Sequence, residues 1–384
     1  MSRSEASPGH VGAGGELTID LGAIAANWRL LSGRLRPGAQ CGAVVKADAY
    51  GLGLEPVARA LSAAGCRTFF VALPDEGLAV RAALADAATP AGEAEIFVFN
   101  GPDSRSSAAA MAEARLTPVL NHLGQARTWS KAAANSPLPA LLHVDTGMTR
   151  LGFDETETTK IADDPTCLSG IRVEGVMSHL ACADQPSHKL NQEQRRRFDA
   201  VLAQLAPLRP PRRSLANSSG IFLGTDYHYD LVRPGAALFG VAPQRNAPNP
   251  MAQVVSLKGK ILQTHLIDTP RSVGYGATHR AKRGRRIATV AVGYADGYFR
   301  ALSGSARAHV GQTPVQVVGR VSMDLITVDV TDVPENDARP GDYVDLIGLH
   351  HTVDDLAREA GTIGYEVLTA LGPRYARRYI GAAA

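Results

Sequence analysis

Cysteine is scarce in this chain: 384 residues contain four, Cys41, Cys66, Cys167 and Cys182, and none forms a C-x-x-C pair. That excludes a disulfide framework or a zinc ribbon and fits buried thiols in a reducing compartment. No apolar stretch approaches the ~20 residues of a membrane span. The first fifteen residues are small, polar and glycine-rich, lack the apolar centre of an export signal, and are expected to form a flexible tail. Charge of neither sign dominates, with 40 basic against 37 acidic side chains and a formal net charge of +3. Nucleic acid and an anionic membrane are therefore not expected partners, and the Arg-rich clusters lack the interleaved aromatics of an RNA-binding face. Metal-ligand spacing is missing too: His350 and His351 read as surface residues, and Asp145, Glu174 and Asp184 make no convincing set, so no metal is expected. A cytoplasmic enzyme is the class that remains.

What is present is a rhythm. Between residues 40 and 240, short apolar runs at 41–45, 68–73, 95–99, 117–120, 140–144, 173–178, 212–216 and 229–232 alternate with helical patterns such as 54–64, 74–87 and 188–205. Short strands buried on both faces and separated by helices indicate parallel βα units, and eight of them close a (β/α)8 TIM-type barrel. After about residue 251 the pattern becomes β-rich, at 254–267, 286–292, 313–318, 325–330 and 343–347, with Gly, Pro and Asp between the runs. The expected class is α/β, with a tail at 1–15, a barrel at 16–250 and a mostly β domain at 251–384. Segment 16–20 is a candidate strand for the second domain. Stretch 104–114 reads as a helix, and Lys282, Arg283, Arg285 and Arg286 read as a solvated turn.

Barrel enzymes carry their chemistry at the C-terminal ends of the strands. Here Lys46 follows the first run, residues 145–150 the fifth, His179 the sixth, Asn217 and Ser218 the seventh, and Arg233 the eighth. A desolvated lysine loses its proton more readily and its amine forms a Schiff base with a carbonyl. The bland alternative is a strand-end lysine reaching for solvent. The loops Ala216-Asn217-Ser218-Ser219-Gly220 and Arg233-Pro234-Gly235-Ala236 offer hydroxyls, small residues and backbone N–H groups suited to a phosphate. A reactive lysine beside a phosphate cradle points to pyridoxal 5'-phosphate, with a phosphorylated aldol substrate as the competing reading.

The segment Val44-Val45-Lys46-Ala47-Asp48-Ala49-Tyr50-Gly51 resembles the alanine racemase family, and the resemblance continues in order along almost the whole chain after residue 16. It runs through Asp145-Thr146-Gly147-Met148-Thr149-Arg150, Ser178-His179-Leu180-Ala181, Ala216-Asn217-Ser218 and Leu231-Val232-Arg233-Pro234-Gly235. In the second half it includes Gly274-Tyr275-Gly276-Ala277-Thr278, Gly293-Tyr294-Ala295-Asp296-Gly297, Gly319-Arg320-Val321-Ser322-Met323-Asp324 and Gly364-Tyr365-Glu366. The resemblance implies interconversion of L- and D-alanine on pyridoxal phosphate, supplying D-alanine for peptidoglycan. It implies that Lys46 holds the cofactor and acts as one base, and that Tyr275 from a partner subunit of a homodimer is the other. Tyr50, Ser218, Tyr365, Gly235 and Ala236 would bind the phosphate, Arg233 would face the pyridine nitrogen, and His179 would lie against the ring. Arg150 and the Met323 N–H would meet the substrate carboxylate, and Tyr294 would line the entrance. Two bases on opposite faces are what inversion of a stereocentre requires, and a phenol with an ordinary pKa near ~10 needs positive charge nearby to serve as one.

Three positions depart from the family pattern. His143 stands where many relatives carry a lysine that becomes carbamylated and steadies the arginine seven residues on, so His143, a water or a small anion such as chloride is expected to anchor Arg150. Ser214 replaces a histidine that bonds the pyridine-facing arginine, and Leu52 replaces another histidine. Rival readings are a broad-specificity racemase, a barrel-fold amino-acid decarboxylase, which would pair the pyridine nitrogen with an acid, and a non-catalytic pyridoxal-phosphate carrier, which would lack the β domain.

Overall fold

The computed structural model describes residues 12–85, 94–133 and 136–381. Strands Ala43–Val44, Thr68–Val71, Glu95–Val98, Thr117–Leu120, Leu138–His143, Ile171–Met177 and Arg213–Ser214 pair in parallel and in chain order. The eighth, Leu231–Val232, pairs in parallel with Gln40–Cys41, which continues beyond Gly42 into Ala43–Val44. A parallel bridge between Asn217 and Arg233 joins the eighth strand to the seventh and completes the ring. The strand Thr68–Val71 is buried at every position, which explains an uninterrupted apolar run rather than alternation. Outside the ring, the helix Leu54–Ala63 buries Leu54, Val57, Ala58 and Leu61, the spacing of one helical face. The expected helix near 104–114 spans Arg105–Glu113 and starts from a capping box between Ser104 and Ser107.

The second half is a mostly β unit. Its strands run Arg286–Val290, Ile326–Asp329, Thr313–Val318, Arg307–Val310, Tyr343–Ile347 and Val255–Leu266 in spatial order, and Val255–Leu266 also pairs with Arg286–Val290, closing a barrel. Val255–Leu266 is long enough to pair with Arg286–Val290 through its second half and with Tyr343–Ile347 and Gly15–Asp20 through its first. Gly15–Asp20 in turn runs parallel to Ala376–Ile380. Of the tail expected at 1–15, residues 1–11 lie outside the described residues and Gly15 already belongs to a strand.

Several local expectations need correction. His351 is not a surface residue: it is 3% exposed, with Nδ1 on the Leu346 carbonyl at 3.0 Å and Nε2 on Glu359 at 3.1 Å, so both ring nitrogens are satisfied inside. Arg286 leaves the basic turn to open a strand, its guanidinium donating to the Val330 carbonyl at 2.6 Å, while residues 282–285 are exposed around Gly284 at φ +87°. The hairpin Arg271–Val273 with His279–Ala281 had no expected counterpart. Cys41 and Cys66 are buried, Cys167 and Cys182 half-buried, and all four are free thiols.

Candidate active site

The C-terminal ends of the barrel strands surround a cavity of about 750 Å³. Lys46, Tyr50, Arg150, His179, Ser218, Arg233, Gly235, Ala236 and Tyr365 all line it, so the structure gathers nine of the expected residues in one place. Tyr365 is brought there by the short helix Gly364–Ala370 of the second half, which packs on the turn after the first strand. Tyr275, Tyr294 and Met323 do not reach this cavity. They are exposed on the β-rich half, Tyr275 at 72%.

Lys46 is carried by an unusual turn. Ala47, Asp48, Ala49 and Tyr50 all have φ between 52° and 58°, one left-handed helical turn made of L-residues with side chains. At roughly 1–2 kcal/mol per residue, four such residues store on the order of 4–8 kcal/mol of backbone strain. Packing and hydrogen bonds hold it: the Asp48 carboxylate accepts from the Leu54 N–H at 2.7 Å, Arg377 donates to the Gly51 carbonyl at 2.7 Å, and the Tyr50 ring packs 4.8 Å from Phe239. Burial lowers the Lys46 pKa, Arg150 lowers it further, and Glu76 opposes both. The lysine is thus biased toward the neutral amine that attacks a carbonyl.

Arg233 is 2% exposed. Its Nη1 donates to the Ser214 hydroxyl and its Nη2 to the Ser178 carbonyl at 2.6 Å, while Ser214 donates to the Leu231 carbonyl at 2.5 Å. Ser214 is therefore the side chain that holds this arginine. Burial pulls the arginine pKa down to about 9, which leaves the guanidinium charged at neutral pH. Among the described residues its Nε has no hydrogen-bond partner, an unsatisfied donor in a cavity-lining residue. His179 lies 3.5 Å from Nη2, and burial together with Arg233 and Arg150 pushes its pKa well below the usual histidine value, so its ring is neutral.

On the other side the Ser218 hydroxyl accepts from the Gly235 N–H at 2.9 Å and the Ala237 N–H at 3.3 Å, tying the loops after strands seven and eight together. A methyl group on Gly235 would lie 2.2 Å from the Tyr50 hydroxyl, so only glycine leaves this cradle open. The rings of Tyr50 and Tyr365 are 6.1 Å apart, and both phenols are pushed above the ordinary tyrosine pKa, Tyr50 chiefly by burial, so they stay protonated and can donate. Hydroxyl and backbone donors gathered beside a primed amine and an unsatisfied buried guanidinium fit a phosphorylated, flat, carbonyl-bearing cofactor with a ring-nitrogen acceptor.

His143 ends the fifth strand, with Nδ1 2.8 Å from the Asn121 Oδ1. Asn121 uses its amide to donate to the carbonyls of Phe99 at 2.9 Å and Val119 at 3.0 Å, so its oxygen accepts and His143 carries the proton on Nδ1. Among the described residues no hydrogen bond or ion pair reaches Arg150, so the partner that His143 visibly holds is Asn121. Arg150 is presented by the loop around Asp145, whose carboxylate accepts from the N–H groups of Gly147, Met148 and Thr149. Asn121 was not among the expected site residues, although it immediately follows the run 117–120 where such residues belong. The cavity wall from Thr362 and Ile363 carried no signal of its own. Among the described residues no group of three or more His, Cys, Asp or Glu is placed to hold a metal, and no helix is long and apolar enough to cross a membrane.

Comparisons with known proteins agree with this geometry. Residues 19–243 match the family described as alanine racemase, N-terminal domain, and residues 254–379 match alanine racemase, C-terminal domain. The alanine racemase of Rhodospirillum rubrum is 54% identical over 367 residues, covering 95% of this chain and 96% of that protein. A relative from Mesorhizobium japonicum, named as a catabolic alanine racemase, is 46% identical, with 96% and 94% covered. The crystal structure of alanine racemase from Bartonella henselae with covalently bound pyridoxal phosphate superposes with a TM-score of 0.88 at 40% identity, covering 96% of this chain and 100% of that one. With both domain families matched in order and the cavity residues in place, the chain belongs to the alanine racemase family.

Proposed function

We propose that this chain interconverts L-alanine and D-alanine in the cytoplasm, with pyridoxal 5'-phosphate held at the barrel mouth and each site completed by a second copy of the chain. The observation that carries the reading is the single cavity shared by Lys46, Arg233 and the Ser218–Gly235 cradle. Lys46 would bond the cofactor, Tyr50, Ser218, Tyr365 and the backbone of Gly235 and Ala236 would hold its phosphate, and Arg233 its ring nitrogen. When bound, the cofactor supplies an electron sink that makes the α-proton of an amino acid easier to remove.

The protein's own residues do the rest. Arg233 donates a hydrogen bond but keeps its proton, which favours racemisation over chemistry that needs a fully protonated ring; a decarboxylase reading would want an acid there. Arg150 would take the substrate carboxylate. Nζ of Lys46 takes or returns the α-proton on one face, and inversion needs a second group opposite. Tyr275 is proposed for that role from the second copy. Its surroundings support this: a methyl group on Gly276 would lie 3.1 Å from the Arg320 guanidinium carbon, and the Tyr294 and Ala295 N–H groups donate to the Ser322 and Met323 carbonyls at 3.0 and 2.9 Å. The loop 319–325 therefore gathers Tyr275, Tyr294 and Met323 onto one exposed surface suited to closing another copy's cavity, with Met323 near the carboxylate and Tyr294 at the entrance. Four free thiols suit a reducing cytoplasm.

Purified protein is expected to be yellow, to bleach with borohydride with the cofactor fixed on Lys46, and to convert L-alanine to both enantiomers on chiral chromatography. Cofactor on Lys46 without alanine racemisation would overturn the substrate. In deuterated water, Tyr275→Phe should confine fast α-deuterium exchange to one enantiomer. Net racemisation should fall equally in both directions, because mirror-image substrates have the same free energy. Exchange into both enantiomers at the native rate would remove Tyr275 from the reaction.

A further inference from the structure

Glu76 is assigned to neither substrate nor cofactor, yet its carboxylate sits among three backbone donors. Oε1 accepts from the Ala47 N–H at 2.6 Å, and Oε2 accepts from Ala72 at 2.8 Å and Leu73 at 3.1 Å. Ala47 follows Lys46 and is the first of the four left-handed residues. Ala72 and Leu73 belong to the loop after the second strand, where Ala72 lines the cavity. Glu76 itself lies in the first turn of the helix Pro74–Ala85, so its backbone is fixed by that helix. One carboxylate thus ties the loop after strand one to the loop after strand two, where the strained turn begins.

The groups around Lys46 make this charge singular. Arg150 and Arg233 are cations, His143 and His179 are neutral, and the phenols of Tyr50 and Tyr365 keep their protons. Glu366 also lines the cavity but accepts from the Thr362 hydroxyl. Among the described residues Glu76 is the one carboxylate that favours the charged form of Lys46, against Arg150.

We propose that Glu76 is the positioning residue for Lys46, its carboxylate pinning the left-handed turn to the second-strand loop and setting the negative charge that offsets Arg150. The inference rests on Lys46 being the cofactor-bonding lysine. Glu76→Gln offers one oxygen and one NH₂ to the same three donors, so either Ala47 or the Ala72–Leu73 pair meets another donor, and the charge is lost. Glu76→Asp keeps the charge but is one methylene too short to serve both loops.

The test starts from full-length holoenzyme stripped with hydroxylamine. Labelling of Lys46 by an amine reagent is followed by mass spectrometry against pH, and in a separate, unlabelled portion pyridoxal 5'-phosphate is titrated back by absorbance. Glu76→Gln should move the Lys46 labelling midpoint to lower pH and weaken cofactor binding about tenfold or more, as for loss of a hydrogen bond to a charged group. Glu76→Asp should keep the native midpoint and weaken binding. Native midpoint and native affinity in Glu76→Gln would overturn the proposal. If that variant does not fold, Glu76→Asp decides: weaker binding with an unchanged thermal transition supports the proposal, and native binding overturns it. Borohydride trapping on a different lysine in the unmutated enzyme would instead sink the reading of the site itself.

Discussion

At the scale of single residues the site depends on cations that have no carboxylate partner among the described residues and on imidazoles kept neutral. Arg233 is held by a serine hydroxyl on Nη1 and a carbonyl on Nη2, which anchor it without adding negative charge and leave Nε open toward the cavity. His143 is the clearest neutral imidazole. Burial, then Arg233 and Arg150, pull its pKa down to about 4 against the opposing charge of Asp145. In the unfolded chain a histidine titrates near ~6.5. Between these values the unfolded state binds the extra proton, so stability is full above about pH 6.5 and falls as the pH drops toward about 4. His179 is shifted in the same direction and adds to this slope. His143→Gln, which still offers a donor to Asn121, should therefore flatten part of the acid limb. Urea midpoints measured from pH 7.5 down to about 4.5 check this. An acid limb identical to that of the unmutated protein would show that folding does not lower the His143 pKa.

Elements show where local rules give way to the site. The turn Ala47–Tyr50 is assembled from residues that avoid left-handed conformations, so its strain must be offset by the packing around it. Ala47 is exposed, and glycine adopts its φ of 53° freely. Relief of ~1–2 kcal/mol of strain against ~0.5–1 kcal/mol of glycine entropy leaves Ala47→Gly more stable by up to about 1.5 kcal/mol. A raised thermal midpoint, with cofactor binding no tighter, is the expected result; a lowered one would mean the turn is not strained. The proposed phosphate cradle responds in the opposite way, since the 2.2 Å approach to Tyr50 leaves no room for a side chain. Gly235→Ala should weaken pyridoxal 5'-phosphate binding by at least about fivefold in an absorbance titration, as overpacking by ~1–3 kcal/mol implies. Legibility followed the same division. Strands such as Thr117–Leu120 and Thr313–Val318 could be read to the residue because burial on one or both faces writes a regular apolar pattern. The left-handed turn could not, because Lys-Ala-Asp-Ala-Tyr contains no glycine to mark it. The barrel closure was legible only as a count: the seventh and eighth strands shrink to Arg213–Ser214 and Leu231–Val232, and isolated hydrogen bonds finish the ring. Lys46 and Arg233 could be found from their place just past a run. Glu76 could not, because an acid in the first turn of a helix has a sufficient local explanation in the helix dipole.

For the whole molecule the decisive feature is that the proposed chemistry is divided. The barrel mouth holds an amine, a buried guanidinium and the proposed phosphate cradle, while the phenol proposed to work opposite the amine is exposed on the β-rich half. Tyr275, 72% accessible, does not line its own chain's cavity, and the proposed two-fold dimer would bring two such surfaces to two such mouths at once. Complementation tests this directly. Lys46→Ala and Tyr275→Phe should each be nearly inactive alone. In a hybrid dimer one site combines both defects and the other has neither. Co-expression in equal amounts with random pairing makes about half the dimers hybrids with one intact site, so about a quarter of the unmutated activity should return. Activity should appear only in the fraction that carries both affinity tags, one on each variant. If the doubly tagged dimers stay as inactive as their parents, Tyr275 serves its own chain or none, and the shared site is wrong.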